Sequence, residues 1–352
     1  MTTGTVKRIV VVGAGIVGAS LAYHLARKGA DVTVIEAGEI ASGVTGRSFA
    51  WINTSHNGPD PIAQIRGAAI QEYRRLEAQL PELKIRWTGS LSYGAATAAN
   101  PRPSTTRLSQ QQILELEPNL RHPPQSAFFD ADEGALDAVQ ATHALIEGAR
   151  ALGATVLTQT RVLGFTSREA RVTGIQTTIG DIDSDRVVLA AGTGITQLTQ
   201  LLNRSLPIEA SPAIFIRYRL QPDRVNTLIS SPEMEVRQGP EGILLAAEDY
   251  LDDAPENRPE AIALRTAAAI RSELSGIISI EPESACVGLR PIAADGLPVI
   301  GHLPGADGVY VCTMHPGVAL AAIVGRLASE EIIDAEDFPA LHACRPDRFF
   351  QA

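Results

Sequence analysis

Three glycines near the start of the chain have the spacing of a phosphate-binding turn. Gly13, Gly15 and Gly18 form a G-x-G-x-x-G sequence. In such a turn the first glycine allows the tight bend, the second lets the backbone approach a pyrophosphate, and the third allows a helix to pack closely on a strand. The N-terminus of the helix that follows offers N–H groups and a positive dipole end to the phosphates, and Ile16 and Val17, between the glycines, are further candidate contacts. We therefore predict that a dinucleotide binds here.

An acidic residue follows where this kind of site requires one. Glu36 ends the next predicted strand, and Ala37 comes directly after it. The carboxylate can accept hydrogen bonds from both hydroxyls of a ribose, which disfavours a ribose carrying a 2′-phosphate. The motif alone does not separate NAD from the ADP half of FAD, and a glycine turn without any ligand is the remaining alternative.

Two further segments are suited to the rest of a dinucleotide. The stretch 41–48 (ASGVTGRS) is small and polar, and it can bring N–H and hydroxyl groups to a pyrophosphate; an ordinary surface loop is the alternative. The stretch 189–194 (LAAGTG) is a second glycine turn after a strand. The candidate contact residues in these two segments are Ser42, Thr45, Gly46, Arg47, Ser48, Ala191 and Gly192.

The elements that must position these residues follow from hydrophobic periodicity. β-branched runs at 7–12 and 31–35 predict strands buried on both faces, and the pattern at 19–28 predicts a helix between them, ended by Gly29. The other predicted elements are helices over 62–80, 137–152, 262–274 and from 315 to about 333, short strands between 155 and 182, strands at 186–191 and 308–313, longer antiparallel strands within 208–250, and loops at 97–107 and 252–260.

Composition excludes several classes of protein. The 352 residues carry a formal net charge of −10, whereas a nucleic-acid-binding protein usually contains a basic domain. No run of about 20 apolar residues lacks charge, so no membrane span is predicted. The apolar stretch 9–25 has no signal-peptide cleavage pattern after it, and we expect a cytoplasmic protein. Cys286, Cys312 and Cys344 lack metal-ligand spacing, which argues against a zinc site or a disulfide framework.

Taken together, these segments resemble the FAD-dependent amine and amino-acid oxidoreductases of the D-amino-acid oxidase superfamily, which include glycine oxidase, sarcosine oxidase and D-amino-acid dehydrogenases. The middle of the chain, roughly 55–130 and 205–280, is similar mainly in layout. The segments that carry the resemblance are 10–38 (VVVGAGIVGASLAYHLARKGADVTVIEAG), 41–48, 187–194 (VVLAAGTG), 288–301 (GLRPIAADGLPVIG) and 308–332 (GVYVCTMHPGVALAAIVGRLASEEI).

The resemblance implies an α/β fold, α+β overall, in which a Rossmann-like FAD-binding domain contains an inserted antiparallel-sheet substrate domain. The FAD-binding domain is expected to comprise residues 1–53, 134–207 and 286–352. The substrate-binding domain is expected to comprise residues 54–133 and 208–285.

The resemblance also assigns contacts to the cofactor. It gives the adenosine ribose to Glu36, the pyrophosphate and flavin edge to residues 42–48, and a backbone contact with adenine to Val162. Relatives exist in which the flavin is covalently attached, and Cys286 and Cys312 are the nearby candidates. Neither lies in an attachment motif, so noncovalent FAD is predicted.

Arg290 is the predicted substrate anchor. It stands in a G-x-R-P sequence, residues 288–291, whose arginine in similar oxidases holds the substrate carboxylate over the flavin. A guanidinium suits this role because it remains charged and presents a bidentate fork that matches a carboxylate. In the alternative interpretation Arg290 pairs with an internal acid such as Asp295 and braces the loop.

The last long helix is predicted to point its N-terminus at the flavin. The resemblance places this terminus at the pyrimidine edge, where a positive dipole end stabilises negative charge, and the backbone of Gly317, Val318 and Ala319 would lie close to the ring. His315 begins this segment, and either an active-site or a structural role is open for it.

The substrate side is where the resemblance is weakest. Several relatives contact the carboxylate through a tyrosine on a substrate-domain strand, but the comparable stretch here, Met234–Arg237, has none. Tyr218 and Tyr250 lie nearby in sequence. For Arg237 an exposed position is favoured over binding of a second acidic group.

The electron acceptor and the edge of the pocket are left open. Trp51 and His56 follow the flavin-edge loop and are candidates for the pocket lining. Some oxidases of the superfamily use a lysine near the flavin to promote oxygen reduction. The three lysines of the chain, Lys7, Lys28 and Lys84, all lie outside the later substrate-domain piece and the C-terminal segments, which slightly favours a dehydrogenase, or an oxidase that uses another cation.

These observations predict an enzyme that oxidises the C–N bond of an amine or amino acid. The Cα hydrogen would leave as hydride to flavin N5 from a neutral amine, and the resulting imine would hydrolyse to a keto product. One alternative is a catalytic flavoprotein subunit of a heteromeric opine- or hydroxyproline-type dehydrogenase, dependent on partner chains. Another is an NAD-dependent enzyme. The expected partner is a small amine or amino acid, with partner subunits or a homo-oligomer left open.

Overall fold

The computed structural model describes residues 8–54, 60–94, 104–220 and 222–350. Lys7, predicted to begin the first strand, lies outside the described residues. The helices are α1 (Ile16–Arg27), α2 (Ala63–Gln79), α3 (Gln110–Leu116), α4 (Ala138–Ala151), α5 (Ile195–Gln200), α6 (Pro259–Glu273) and α7 (Gly317–Asp334).

Two large sheets and two small ones account for the described strands. The strands are β1 (Arg8–Val12), β2 (Asp31–Ile35), β3 (Trp51–Ile52), β4 (Ser90–Ser92), β5 (Thr105–Ser109), β6 (Ser126–Asp130), β7 (Gly134–Ala135), β8 (Thr155–Leu157), β9 (Val162–Arg168), β10 (Arg171–Thr177), β11 (Gly180–Asp183), β12 (Arg186–Leu189), β13 (Ile208–Leu220), β14 (Leu228–Ser230), β15 (Glu235–Gln238), β16 (Ile243–Asp249), β17 (Ile280–Ala293), β18 (Val299–His302) and β19 (Val309–Thr313).

The first large sheet is mostly parallel and forms the base of the molecule. Its six strands follow the order β18-β19-β12-β1-β2-β8, and only β18 runs antiparallel to its neighbour. The chain crosses from β1 to β2 through α1, so the two strands are parallel with Val12 opposite Ile35. Helices α1, α4 and α7 pack on one face, because both β1 and these helices carry apolar residues such as Val11, Leu21 and Leu320 that are fully buried.

The opposite face of this sheet is covered by a three-stranded antiparallel sheet of order β11-β10-β9. Ile175 of β10 and Val187 of β12 are both fully buried in the cluster between the two sheets. The parallel sheet is therefore covered on both faces, which explains why its strands read as continuous β-branched runs in the sequence.

The second large sheet has eight strands in the order β17-β13-β16-β15-β14-β4-β6-β5. One face packs against α3 and α6, where Val236 and Leu244 are fully buried. The other face turns toward the parallel sheet and holds Phe215 and Leu245 in a smaller apolar cluster with Phe49. The two faces alternate along each strand, so one face forms a core and the other can form the wall of a site.

Most predicted elements coincide with observed ones within a few residues. α1 begins at Ile16 rather than Ala19, and β12 ends at Leu189, two residues earlier than predicted. The predicted loop at 97–107 is wrong at its end, because Thr105 to Arg107 pair with β6 in strand β5; positions 95–103 lie outside the described residues. The predicted domain boundaries stay a prediction.

Within the described ranges, no helix has both the length and the apolar character needed to cross a membrane.

Candidate nucleotide and substrate site

The turn after β1 has the backbone geometry that its glycines permit. Gly13 has φ +109°, a conformation that residues with a side chain rarely adopt, and a Cβ added there would lie 2.5 Å from the Ala190 carbonyl oxygen. A Cβ on Gly18 would lie 1.9 Å from the carbonyl oxygen of Gly13. Gly18 therefore serves helix–strand packing, as the spacing predicts, and it lies behind the wall of the site rather than on its surface.

The first turn of α1 leaves backbone donors without partners. Gly15 is the N-cap and provides no side-chain cap. The N–H of Ile16 donates to the hydroxyl of Thr45 at 3.0 Å, which ties the helix to the loop that follows β2. Among the described residues no acceptor is found for the N–H groups of Gly15 and Val17. Such orphan donors at a helix N-terminus are suited to a phosphate.

Glu36 is held by the backbone around it. Its two oxygens accept hydrogen bonds from the N–H of Ala14 and from the N–H of Gly38, each at 2.8 Å. A carboxylate has about four acceptor sites, so two remain for hydroxyl groups of a ligand. The side chain is half-buried and lines the same cavity as Gly15.

The loop after β2 closes over the first turn of α1. Residues Val44–Arg47 form a short 3₁₀ turn, and the N–H of Gly46 donates to the Ala41 carbonyl at 2.9 Å. A Cβ on Gly46 would lie 2.8 Å from that carbonyl oxygen, so Gly46 shapes the loop without lining the cavity. A Cβ on Gly288 would lie 2.8 Å from the carbonyl oxygen of Arg47, which explains the glycine two residues before Arg290.

A cavity of about 1180 Å³ runs between the two large sheets. This volume is above the range of about 300–1,000 Å³ usual for small-molecule sites, as an extended ligand together with a substrate would require. The cavity extends from Glu36 to Arg290 and to the start of α7. The other sequence-predicted residues that line it are Gly13, Gly15, Ile16, Val17, Ala37, Ser42, Thr45, Arg47, Ser48, Val162, Ala191, Gly192, His315, Gly317, Val318 and Ala319.

Arg290 is braced by neutral groups, and part of its guanidinium is free. Its Nη2 donates to the hydroxyl of Ser211 at 2.9 Å and to the carbonyl of Pro212 at 3.2 Å, both on β13. Asp295, the predicted alternative partner, instead pairs with Arg348 at 2.6 Å. No carboxylate of the described chain neutralises Arg290, and its Nη1 has no protein acceptor there. This arrangement fits a cation kept for an anionic ligand.

His315 faces the cavity just before α7, and its surroundings keep it neutral. Its pKa is lowered to about 4, first because the ring is removed from bulk water by the cavity walls and then because of the positive charges of Arg290 and Arg66. Although the ring is accessible from the cavity, it is therefore uncharged near pH 7. α7 begins at Gly317 after Pro316 as N-cap, so its first N–H groups also face the cavity.

Several sequence-based expectations on the substrate side are corrected. Arg237 is not an exposed strand residue: it is buried, and its guanidinium donates to the carbonyls of Phe49 at 2.7 Å and Leu136 at 2.8 Å. It therefore fastens the eight-stranded sheet to the segments that contain Phe49 and Leu136. Tyr218 is buried on the far face with its hydroxyl on the Ala263 carbonyl, and Tyr250 bonds Asp253; neither lines the cavity.

Trp51 lines the cavity and donates its indole N–H to Glu133 at 2.9 Å. His56 lies outside the described residues. Lys28 pairs with Asp334 at the surface, and no lysine of the described ranges lines the cavity. Those ranges also contain no group of residues that could hold a metal ion.

The cysteines are all free. Cys312 lines the cavity although its side chain is buried, and burial raises the pKa of its thiol. Burial also raises the pKa of the half-buried Cys286. Both thiols are therefore poor nucleophiles, in agreement with the noncovalent binding predicted for FAD.

Three charged residues that line the cavity were missed: Arg66, Arg161 and Glu235. Arg66 of α2 is buried, forms an ion pair with Asp60 at 2.9 Å and contributes to the lowered pKa of His315. A signal existed, because Arg66 falls at the i+4 position from Ile62 within the apolar stripe of the helix. Glu235 of β15 also lines the cavity, but its strand reads EVRQ and contains only one apolar residue, Val236, so no comparable signal was present in the sequence.

Comparison with known proteins identifies one family of flavin-dependent oxidoreductases and several relatives of similar length or longer. The family model described as FAD dependent oxidoreductase (DAO) matches residues 8–331. The chain is 25% identical to glycine oxidase of Bacillus licheniformis, over 92% of each chain. It is 25% identical to the bifunctional protein ThiO/ThiG of Synechocystis, over 98% of this chain and 54% of that longer protein. It is 23% identical to one subunit of an opine oxidase from Agrobacterium tumefaciens, over 92% of each.

A solved structure has the same overall fold as this chain. Glycine oxidase from Bacillus cereus superimposes with a TM-score of 0.82 at 21% identity, covering 96% of this chain and 98% of that one. At this identity the likeness establishes the fold, and it confirms the predicted Rossmann-like domain with an antiparallel-sheet substrate domain.

Proposed function

The chain belongs to the family of FAD dependent oxidoreductases, and on that premise we propose that it oxidises the C–N bond of a small amine or amino acid that carries a carboxylate. The observation that carries the proposal is Arg290. Its guanidinium lies in the cavity wall, is held by Ser211 and Pro212, and has no carboxylate partner in the described chain. A substrate carboxylate supplies the missing charge.

The residues present fit FAD. The unpartnered N–H groups of Gly15 and Val17 suit the pyrophosphate, and Glu36 suits the adenosine ribose. Val162 at the start of β9 and Gly317 at the start of α7 both line the cavity, which supports the predicted contacts of Val162 with adenine and of Gly317 with the flavin ring. When bound, FAD supplies the acceptor for the hydride that leaves the substrate Cα.

The protein's own contribution is orientation and electrostatics. Arg290 fixes one end of the substrate, so that the Cα–H bond takes one direction relative to the cofactor. The first N–H groups of α7, from Gly317 onward, stabilise negative charge that develops at this end of the cavity.

The same positive groups favour the reactive form of the amine. A neutral amine must be present before hydride can leave, because an ammonium has no lone pair to form the imine. Arg290 and Arg66 both act on His315 and lower its pKa, and they would lower the pKa of a substrate ammonium bound beside it in the same way. His315 itself remains neutral and adds no further positive charge. Water then hydrolyses the released imine to a keto product and an amine or ammonia.

An anaerobic titration tests the proposal. The purified protein is titrated with D-, L- and N-methyl amino acids and with amines that lack a carboxylate, and the oxidised flavin absorbance is followed. We expect bleaching by one class of carboxylated amine and none by its decarboxylated analogue. A flavin spectrum that no amine changes overturns the proposal. Repeating the active mixture in air separates an oxidase from a dehydrogenase by the rate of reoxidation.

A second candidate concerns assembly rather than chemistry. The relative from Agrobacterium tumefaciens is by name a subunit of an opine oxidase, and the chain covers 92% of its length. This supports, as an alternative, a catalytic subunit that depends on partner chains for electron transfer. An active homogeneous protein after size-exclusion chromatography without other chains contradicts this alternative.

A further inference from the structure

Glu235 stands on the cavity wall in a row of residues that crosses four strands. It lies directly opposite Ala247 of β16, which lies opposite Phe215 of β13, which in turn lies opposite Cys286 of β17. Directly opposed residues point to the same face of a sheet. That face is the one turned toward the cavity, since Glu235, Ala247 and Phe215 all line it.

Arg290 lies on the same face at the other end of this wall. It is four residues beyond Cys286 along β17, so its side chain points to the same side of the sheet. The row from Cys286 to Glu235 spans about 14 Å and the four residues along β17 about 13 Å, by ordinary sheet spacings. Arg290 and Glu235 are thus too far apart to pair, and the apolar Phe215 and Ala247 lie between them.

Within the described ranges, Glu235 forms no ion pair with a cation. Its one hydrogen-bond partner in the described chain is the hydroxyl of Ser230 at 3.5 Å. Arg237, two residues along the strand on the same face, is occupied by backbone carbonyls. The other charges that act on Glu235 are the carboxylates of Asp249 and Glu248. Burial and these like charges raise its pKa to about 7.

We propose that Glu235 is a specificity-determining residue that accepts a hydrogen bond from an ammonium or guanidinium group at the far end of the substrate. This inference rests on the proposed function and names its substrate class: an amino acid, or an N-substituted amino acid, with a cationic side chain. Arg290 binds the carboxylate, Phe215 and Ala247 contact the aliphatic part, and Glu235 binds the distal cation. The cation supplies the charged partner that Glu235 does not find among the described residues.

The test compares matched substrates and variants. Arginine, lysine and ornithine are compared with their uncharged counterparts citrulline, norleucine and norvaline, in the D and L forms. The variants are Glu235→Gln, which keeps the shape, and Glu235→Asp, which keeps the charge. Glu248→Gln is the control, because Glu248 lies on neighbouring β16 but bonds Thr266 at 2.6 Å on the opposite face. Flavin content and Tm verify that each variant is folded.

A binding measurement adds a readout independent of turnover. Flavin absorbance is titrated with 5-aminopentanoate and 4-guanidinobutanoate, which have no α-amine, and with pentanoate, which keeps the carboxylate but has no distal cation, as the reference. We expect both cationic probes to bind wild type at least tenfold more tightly than pentanoate, and Glu235→Gln to remove that advantage.

In turnover, Glu235→Gln is expected to lower kcat/KM for the cationic substrates at least tenfold, mainly through KM, with the uncharged ones changed less than threefold. Glu235→Asp should recover part of the loss in kcat/KM, and Glu248→Gln should match wild type.

Two outcomes overturn the inference. One is an equal loss of kcat/KM in Glu235→Gln for substrates with charged and with uncharged side chains. The other is tighter binding of pentanoate by Glu235→Gln than by wild type, which would mean that Glu235 lies beside the substrate carboxylate. If uncharged amino acids bleach the wild-type flavin best, the inference fails while the proposed function stands, and if no amine bleaches it, the proposed function itself fails.

Discussion

The carboxylate of Glu36 accepts a hydrogen bond from the N–H of Ala14 at 2.8 Å, joining the end of β2 to the turn that follows β1. Its second oxygen accepts from the N–H of Gly38. The residue predicted to bind ribose thus also holds the conformation of the turn predicted to bind the pyrophosphate, so the predicted binding and the local structure would depend on the same carboxylate.

Glu36→Gln should weaken FAD binding about tenfold or more, because an amide presents a donor where Ala14 and Gly38 also present donors. Titration of the apoprotein with FAD, followed by flavin fluorescence, measures the dissociation constant. Glu39→Gln is the matched control, since Glu39 is exposed in the following loop. Equal affinities for wild type and Glu36→Gln would contradict the assigned role.

Arg290→Lys should raise KM for a carboxylated amine about 100-fold, because an ammonium cannot replace the two-pronged guanidinium that Ser211 and Pro212 hold in place. FAD content should be retained, since the side chain is predicted to bind substrate only. Steady-state kinetics with the best substrate of the panel provide the measurement. Arg217→Lys, at the surface of β13, should leave KM unchanged, and an unchanged KM in Arg290→Lys would remove the carboxylate anchor from the proposal.

Gly18→Ala should prevent stable folding with FAD, because the added Cβ would lie 1.9 Å from the carbonyl oxygen of Gly13. Gly67→Ala provides the contrast. Gly67 lies within α2 with nothing near its Cβ position, so alanine there should raise stability by about 0.5–1 kcal/mol through helix propensity. The Tm should fall in Gly18→Ala and rise in Gly67→Ala, and bound flavin should be lost only in Gly18→Ala. A folded Gly18→Ala protein that retains its flavin would contradict the described geometry of the turn.

His24 should make the protein less stable as the pH falls below 6.5. Its pKa is lowered to about 3, first by burial and then by the charges of Arg27, Arg326 and Lys28. The unfolded chain, with the ordinary pKa of 6.5, therefore binds a proton that the folded chain rejects between these two values, and stability rises with pH across this window.

His24→Phe should remove this dependence. As the pH falls from 6.5 to 4, the free energy of unfolding of the variant should therefore rise relative to that of wild type by about 1.4 kcal/mol per pH unit. Denaturant unfolding at several pH values measures the slope. The exposed His122 supplies the control in His122→Phe. Parallel pH profiles for wild type and His24→Phe would show that His24 is protonated in the folded protein.

Glu117→Ala should destabilise the substrate-side sheet by about 3 kcal/mol. The buried carboxylate accepts hydrogen bonds from the N–H of Asn226 and from the N–H and hydroxyl of Thr227, so its removal leaves buried donors without acceptors. Glu115→Ala on the same helix, at an exposed position, should be nearly neutral. Equilibrium unfolding measures the free energy of unfolding of both variants. Similar free energies for Glu117→Ala and Glu115→Ala would contradict the prediction.

Local features of the sequence were sufficient to predict the part of the molecule around the glycine turn after β1. The turn at Gly13–Gly18, the strands beside it and the carboxylate of Glu36 are neighbours in sequence, and their geometry depends on φ values, β-branched runs and a short crossover that each leave a local signature. The helix boundaries of α2, α4 and α6 were predicted within a few residues for the same reason.

The substrate half depended on contacts between distant parts of the chain. Arg237 looks like a surface residue in its own strand, and only the packing of that strand against Phe49 and Leu136 buries it. Arg66 and Glu235 reach one cavity because α2 and β15 are brought together with β17, across more than 200 residues of sequence. The sequence by itself determined the fold class and the glycine turn after β1. Tertiary structure decided which charges remain unpaired, because charge balance is a property of the assembled cavity and not of any one segment.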